Sequence, residues 1–282
     1  LEEPYHALVL ARCLRQALGG CNCEFLAQVK AARQQIGALE ETFDALAPRL
    51  LADEKIPGAV IAIGRRNGER FETWQKAYGW RRSEPAREPM SVDAIFDLAS
   101  ITKPIAVGTS VMMLADAGKL TLSDPVSKYI DGLHVDTKGA LQIRHLLTHT
   151  SGMPPYVDAK EREKIAEANG VPCAAALRAH IHSLKPLSPV GANTIYSCLN
   201  AIMAGEIVES VSGQKLDAFV AGQIFAPLKM VDTGFLPDAA QRARCVPTTR
   251  SDRAREKGGF LQGEVHDPLA FVSGGVSGAA VA

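Results

Sequence analysis

Ser100 and Lys103 stand three residues apart in Phe96-Asp97-Leu98-Ala99-Ser100-Ile101-Thr102-Lys103, and an apolar helical pattern begins directly behind them. Ile101, Ile105, Val111, Met112, Leu114 and Ala115 recur at helical steps. A helix starting here puts residues i and i+3 on one face, so the lysine ammonium can approach the serine hydroxyl. The serine would occupy the first turn, where unpaired backbone N–H groups favour developing negative charge. A hydroxyl becomes a competent nucleophile only when a neighbouring base takes its proton, and a lysine of lowered pKa can do so. The motif is weak by itself. About one such pair arises by chance in a chain of this size and average composition, and a second, Ser212-Gly213-Gln214-Lys215, is present. The plainer reading of Ser100 is a helix N-cap with a solvated lysine one turn on.

The elements around the motif must decide. The 282 residues can bury a large core and suit one large or two modest domains. Hydrophobic residues at 46% and charged residues at 22% are the balance of a soluble globular protein. Lysine plus arginine (31) equals aspartate plus glutamate (31), so there is no electrostatic footprint for nucleic acid or an anionic membrane. No apolar run approaches the roughly 20 residues of a membrane span. The cysteines (Cys13, Cys21, Cys23, Cys173, Cys198 and Cys245) are too scattered for a disulfide framework. Cys21-Asn22-Cys23 lacks the partner pair a zinc site needs. Leu18-Gly19-Gly20-Cys21 resembles a lipoprotein cleavage site, but Arg12, Arg15 and Gln16 break any apolar signal core. Reduced thiols in the cytoplasm are the expectation, with the periplasm as the alternative if a signal precedes Leu1.

Residues 1–36 read as helical, with a broken stripe through Leu8, Leu10, Leu14 and Leu18. A second amphipathic helix covers 38–54, with a kink or restart expected at Pro48. The period then changes. Ala59 to Gly64 reads as a buried strand, Asn67-Gly68 as a hairpin turn, and Arg70 to Tyr78 as the returning strand. A helix followed by an antiparallel hairpin begins an α+β sheet domain rather than a parallel dinucleotide-binding sheet. Residues 81–95 read as a loop delivering the chain to Ser100. Helices are expected at 126–130, 142–148, within 160–183 with breaks at Gly170 and Pro172, from Tyr196 to Val211, and from Leu216 to Ile224. Beyond Asp232 the chain reads as loop-rich.

Taken together, these segments resemble the serine β-lactamase and penicillin-binding-protein superfamily, and within it the class C β-lactamase-like branch with its family VIII carboxylesterases and D-amino-acid peptidases. The matches run in order: Pro57-Gly58-Ala59-Val60, Phe96 to Pro104, Gly118-Lys119-Leu120 with Leu122, Asp124-Pro125-Val126, Leu146 to Pro154, Tyr196-Ser197, Phe225 with Pro227-Leu228 and Met230, His266-Asp267 and Gly274-Gly275. The resemblance implies an α+β fold with a β-lactamase-like antiparallel sheet, flanking helices and a largely helical lobe. It divides the chain into an N-terminal helical extension at 1–36 and a β-lactamase-like domain at 37–282. That domain subdivides into helix and hairpin (37–95), nucleophile helix and helical lobe (96–235) and a loop-rich end (236–282). It further implies that Ser100 forms an acyl-enzyme, and that Lys103 and Tyr196 together remove its proton, Tyr196 later protonating the leaving group. A phenol can be such a base only beside a cation that stabilises its phenolate. The plainer reading of Tyr196 is a core tyrosine with a satisfied hydroxyl.

Two departures from the family pattern matter. Where the family usually places an asparagine that binds the substrate amide, this chain has Cys198, and a thiol is a weak hydrogen-bonding group. That favours simple esters over β-lactams or peptides, and Asn200 is not placed to compensate. The family's third motif, a Lys/His-x-Gly triplet on a late strand that supplies an oxyanion-hole N–H, is absent from these residues. One such donor is worth on the order of 10²–10³ in rate, and an unpaired hairpin edge invites pairing. The chain is therefore expected to be a fragment, or to have its sheet completed by a homo-oligomer or another strand-completing partner.

Other candidates are set aside. His145 and His149 sit i, i+4 without the carboxylate of a zinc-protease motif, so core or capping roles are expected, and no metal or cofactor is implied. His180 and His182 are expected at the surface. There is no G-x-S-x-G elbow and no phosphate-binding glycine loop. The expected function is a metal-free serine hydrolase acting on a small-molecule ester or amide, most of all a carboxylesterase. The alternatives are a D-amino-acid peptidase or β-lactamase, or a catalytically silent penicillin-binding-like binding domain.

Overall fold

A computed structural model describes residues 36–52, 56–67, 70–134, 136, 140–254 and 259–276. The helices expected within 1–35, the turn residue Gly68 and the glycines after Val276 fall outside these ranges. The chain divides into two compact units, Leu1–Ala94 and Ile95–Ala282.

In the first unit, helix α1 (Ile36–Ala52) accompanies a sheet of β1 (Gly58–Asn67), β2 (Arg70–Arg82) and β3 (Glu88–Pro89) in the order β1-β2-β3. Strands β1 and β2 pair antiparallel from Gly58 opposite Gly79 to Asn67 opposite Arg70. Along β1, Ile61 and Ile63 are half-buried while Ala62 and Gly64 face out, the alternation of a sheet covered on one face. The cover is α1: Phe43 and Ala47 are buried, and the Phe43 ring stacks on Trp74 with centroids 6.3 Å apart. Asp44 accepts from both Lys76 Nζ and Tyr78 Oη at 2.8 Å, fixing α1 against β2. The helix runs through Pro48, where a kink or restart is expected from sequence. Close to the helix end, the ring removes a single i→i−4 bond and the buried Ala47 face stays in register. The 81–95 stretch is also more ordered than a loop. β2 continues to Arg82 because Trp80 N–H finds Pro57 O at 2.8 Å, and Glu88 answers Arg81 across the β3 pairing.

The second unit is largely helical. A 3₁₀ turn (Ala99–Ile101) and a π-helical turn (Lys103–Gly108) lead into α2 (Thr109–Asp116). Then come a 3₁₀ turn at Val126–Lys128, α3 (Ile143–Leu147), α4 (Ala159–Asn169) and α5 (Ala174–Ser183). The chain continues with α6 (Cys198–Ser212) and α7 (Leu216–Val220), the latter prolonged by a π-helical turn, Ala221–Phe225. The core gathers Val107, Val111, Ile143, Leu146, Leu177, Ile181, Leu199, Met203, Ile207 and Leu269, all essentially inaccessible. Helix α6 is apolar nearly all round and is buried nearly all round, as that composition requires. It meets α5 through two polar rungs, Arg178 to Glu209 at 2.7 Å and His182 to Glu206 at 2.8 Å. The expectation of a surface His182 is thereby corrected: its ring is buried because it follows the core residue Ile181 and faces a carboxylate on α6. The stretch beyond Asp232 also holds two short capped helices, α8 (Ala239–Arg244) and α9 (Pro268–Val272). Among the described residues no helix is long and apolar enough to cross a membrane.

Candidate active site

The segment carrying Ser100 is anchored on both sides. Ile95 pairs with Cys245 as an isolated parallel bridge, its N–H reaching Arg244 O and its carbonyl taking Val246 N–H. Asp97 then turns inward, its side chain 7% exposed. One oxygen accepts Ala99 N–H at 2.8 Å; the other accepts His266 Nδ1 at 2.7 Å and His266 N–H at 3.2 Å. Ala99 sits at φ +46°, a left-handed conformation costly for a residue with a Cβ. These bonds hold that strained residue immediately before Ser100, which is solvent-exposed at the head of the helix. Behind it, Pro104 has no N–H to give and the backbone opens into the π-helical turn, so the lysine leaves from a widened turn.

The second arm is Thr148-His149-Thr150-Ser151-Gly152 after α3, zipped to 187–197. Leu187 N–H bonds Gly152 O at 2.7 Å, Gly191 N–H bonds Thr150 O at 2.8 Å and Ile195 N–H bonds His149 O at 2.8 Å. Gly152 is at φ +76°, and a Cβ there would lie 2.1 Å from Ser188 O, so only glycine allows this approach. Ser197 N-caps α6, its hydroxyl accepting Leu199 N–H and donating to Pro154 O at 2.6 Å. Those contacts fix Tyr196 at the mouth of α6.

The arms converge on one oxygen. Lys103 Nζ donates to Ser100 Oγ at 3.0 Å, and Tyr196 Oη donates to the same atom at 2.7 Å. The lysine nitrogen lies 5.4 Å from the Tyr196 ring centroid. All three predicted residues thus meet, joined across a 96-residue separation.

Cys198, also predicted here, opens α6, half-buried and in contact with Lys103. Burial pushes its thiol up despite that cation, and Asp267 reinforces the rise, so it is a neutral S–H group. Asn200 cannot stand in for an exposed amide. It is fully buried, its Oδ1 accepting Ser151 Oγ at 2.7 Å and its amide nitrogen 3.2 Å from His149 Nδ1. Tyr156 and Asp267 close the far side, the phenol donating to the carboxylate at 2.7 Å; burial first and Asp267 second push that phenol well above its ordinary range. An open, mostly apolar cavity of about 740 Å³ borders Lys103 and His149, with Val107, Met112, Met113 and Leu147 among its walls.

Three residues lie inside the matched segments without a site role being read for them there: Asp97, His266 and His149. For Asp97 and His266 the signal is faint, a carboxylate and an imidazole 169 positions apart. His145 takes the expected capping role, its Nδ1 accepting Gln142 N–H, but His149 packs on Tyr196 with ring centroids 4.6 Å apart. Among the described residues no group of three or more His, Cys, Asp or Glu could hold a metal ion.

The fold is that of class C β-lactamases. One mutant enzyme of that class superposes with a TM-score of 0.67 at 20% identity, over 86% of this chain and 61% of the other. A β-lactamase/D-alanine carboxypeptidase from Yersinia pestis superposes with a TM-score of 0.63 at 23% identity, over 85% and 63%. In sequence, the chain is 32% identical over 217 residues to esterase EstB of Burkholderia gladioli, covering 73% of this chain and 54% of the esterase. It is 30% identical over 226 residues to a putative D-alanyl-D-alanine carboxypeptidase of Escherichia coli K12, covering 73% and 52%. An N-acetylmuramyl-L-alanine amidase of Bacillus subtilis strain 168 is 28% identical over 256 residues, covering 79% and 55%. The chain therefore spans about half the length of these relatives. The family model described as Beta-lactamase matches residues 43–280, which takes in both arms of the site, and the chain belongs to that family.

Proposed function

We propose that the protein is a serine hydrolase that acts through an acyl-enzyme on Ser100, with carboxylic esters as its favoured substrates. The observation that carries this reading is the convergence of Lys103 Nζ and Tyr196 Oη on Ser100 Oγ. In acylation Tyr196, once its own proton has gone to solvent, takes the Ser100 proton as a phenolate beside the Lys103 ammonium, while Oγ attacks the substrate carbonyl. The tetrahedral intermediate collapses as Tyr196 returns the proton to the departing alkoxide, releasing an alcohol. Water then repeats the sequence on the acyl-enzyme and releases the carboxylic acid. Esters are favoured over amides for a reason at Cys198: a neutral thiol neither donates to nor accepts from a substrate amide with useful strength. An alkoxide is also the better leaving group, so less help is needed to expel it. The relatives named esterase, carboxypeptidase and amidase support acyl transfer in general and differ in what they release.

The test is covalent. Incubation with a fluorophosphonate and intact-mass analysis should give a single adduct on Ser100, absent in Ser100→Ala and formed about 10²-fold or more slowly in Lys103→Ala, the worth of one proton-transfer partner. A protein that takes no label would instead be a binding domain built on the same frame.

A further inference from the structure

His149 touches the peptide on both sides of Tyr196 and the ring of Tyr196 itself. Its carbonyl accepts Ile195 N–H at 2.8 Å, its Nδ1 accepts Ser197 N–H at 3.2 Å, and its imidazole lies against the phenol with centroids 4.6 Å apart. A backbone N–H can only donate, so Nδ1 carries no proton and the ring is the neutral tautomer with its hydrogen on Nε2. Asn200 agrees: its carbonyl oxygen is taken by the Ser151 hydroxyl, which leaves its NH₂ turned toward the same Nδ1. The residue itself is at φ +57°, a conformation that histidine tolerates less well than glycine or asparagine and that the flanking bonds enforce.

We propose that His149 is a positioning residue for Tyr196, clamping it over Ser100 only while the imidazole is neutral, so that protonation of His149 releases the phenol and sets the acid limit of acylation. A second proton would go on Nδ1. That would place a new N–H against the Ser197 N–H and the Asn200 NH₂, turning both contacts from bonds into donor–donor clashes. Lys103, Ser197 and Asn200 oppose that proton. Lys103 is the charged neighbour whose field reaches it, Tyr196 is the titratable neighbour packed on it, and Ser197 and Asn200 present donors; His145, on α3, spends its Nδ1 on Gln142. Burial first and Lys103 second hold the imidazole below its ordinary value near 6.5. The clamp is thus closed at neutral pH and opens as pH falls through that lowered value. The inference rests on the serine-hydrolase reading for its effect on rate, and on geometry alone for the clamp.

The experiment follows phosphonylation of Ser100 by a fluorophosphonate, with loss of fluoride, between pH 5 and 8, alongside the ring C–H signals of His149 in the NMR spectrum of the same protein. In the wild type the acid limb of labelling should share its midpoint with the His149 titration. His149→Asn keeps an acceptor, stays uncharged and suits a left-handed backbone. It should label within about threefold of wild type at pH 7.5 and lose that limb, whereas His149→Ala should label roughly tenfold or more slowly at every pH. An unchanged limb in His149→Asn, or full speed in His149→Ala, would overturn the proposal. If the wild type takes no label, the hydrolase reading falls and amide exchange at Ser197 decides the clamp. Protection lost in His149→Ala and kept in His149→Asn supports it; equal protection in the two variants refutes it.

Discussion

Under the proposed reading, Cys198 stands where the family pattern usually places an asparagine that binds the substrate amide, and it offers a thiol whose proton burial retains. Replacing it supplies what is missing. Cys198→Asn should raise the ratio of amide to ester turnover about tenfold, the worth of one good hydrogen bond, measured as kcat/KM on a p-nitroanilide and the matching p-nitrophenyl ester. An unchanged ratio would mean that ester preference is set elsewhere. At this scale the legible residues were those whose chemistry is carried by type and spacing. Ser100 and Lys103 lie one turn apart, and Tyr196-Ser197 opens a helix with its own cap. The role proposed for His149 is not legible in the sequence, because it depends on a left-handed backbone and on the N–H groups of Ile195 and Ser197, and no local pattern encodes either.

The elements were read well where one period dominated and poorly where polar contacts set the ending. The apolar run Ala59 to Gly64 marks β1, which is covered on one face only rather than buried as expected, and the apolar pattern from Leu199 to Val208 marks α6, buried as its composition demands. The continuation of β2 past Tyr78, the short β3 and the burial of His182 depended instead on partners far away: Pro57, Arg81 with Glu88, and Glu206. Between elements, the tightest tolerance lies where the His149–Gly152 arm passes 187–188. Gly152→Ala must fit a Cβ 2.1 Å from Ser188 O while holding φ +76°. Overpacking and left-handed strain together predict a loss of about 2–4 kcal/mol. Urea unfolding reads that loss, and Gly170→Ala is the control, since its Cβ meets nothing at the same φ of +76°. If both variants lose the same amount, backbone strain rather than the close passage is responsible.

Over the whole molecule, stability should fall in two steps on acidification. His145 and His149 are both held below their ordinary value, mainly by burial, so the unfolded chain takes up their protons first. Stability from these groups is complete above about 6.5 and is lost as pH falls from there to their lowered values. Asp44, held low chiefly by its bond from Lys76, Asp124 by Tyr129 and Asp232 by Arg244 form the second step. Their contribution is full above the unfolded carboxylate value of about 3.9 and is lost progressively as pH falls from there to their lowered values. Thermal melts from pH 8 to pH 3 check both steps, and His149→Asn should shrink the first without moving the second. The bond from Asp97 to His266 carries a different consequence, one of timing. The nucleophile turn is held by a residue made 169 positions later, an interval on the order of ten to thirty seconds at ordinary rates of synthesis. Until His266 emerges, Asp97 can hold Ala99 N–H only without the two bonds that fix its other oxygen.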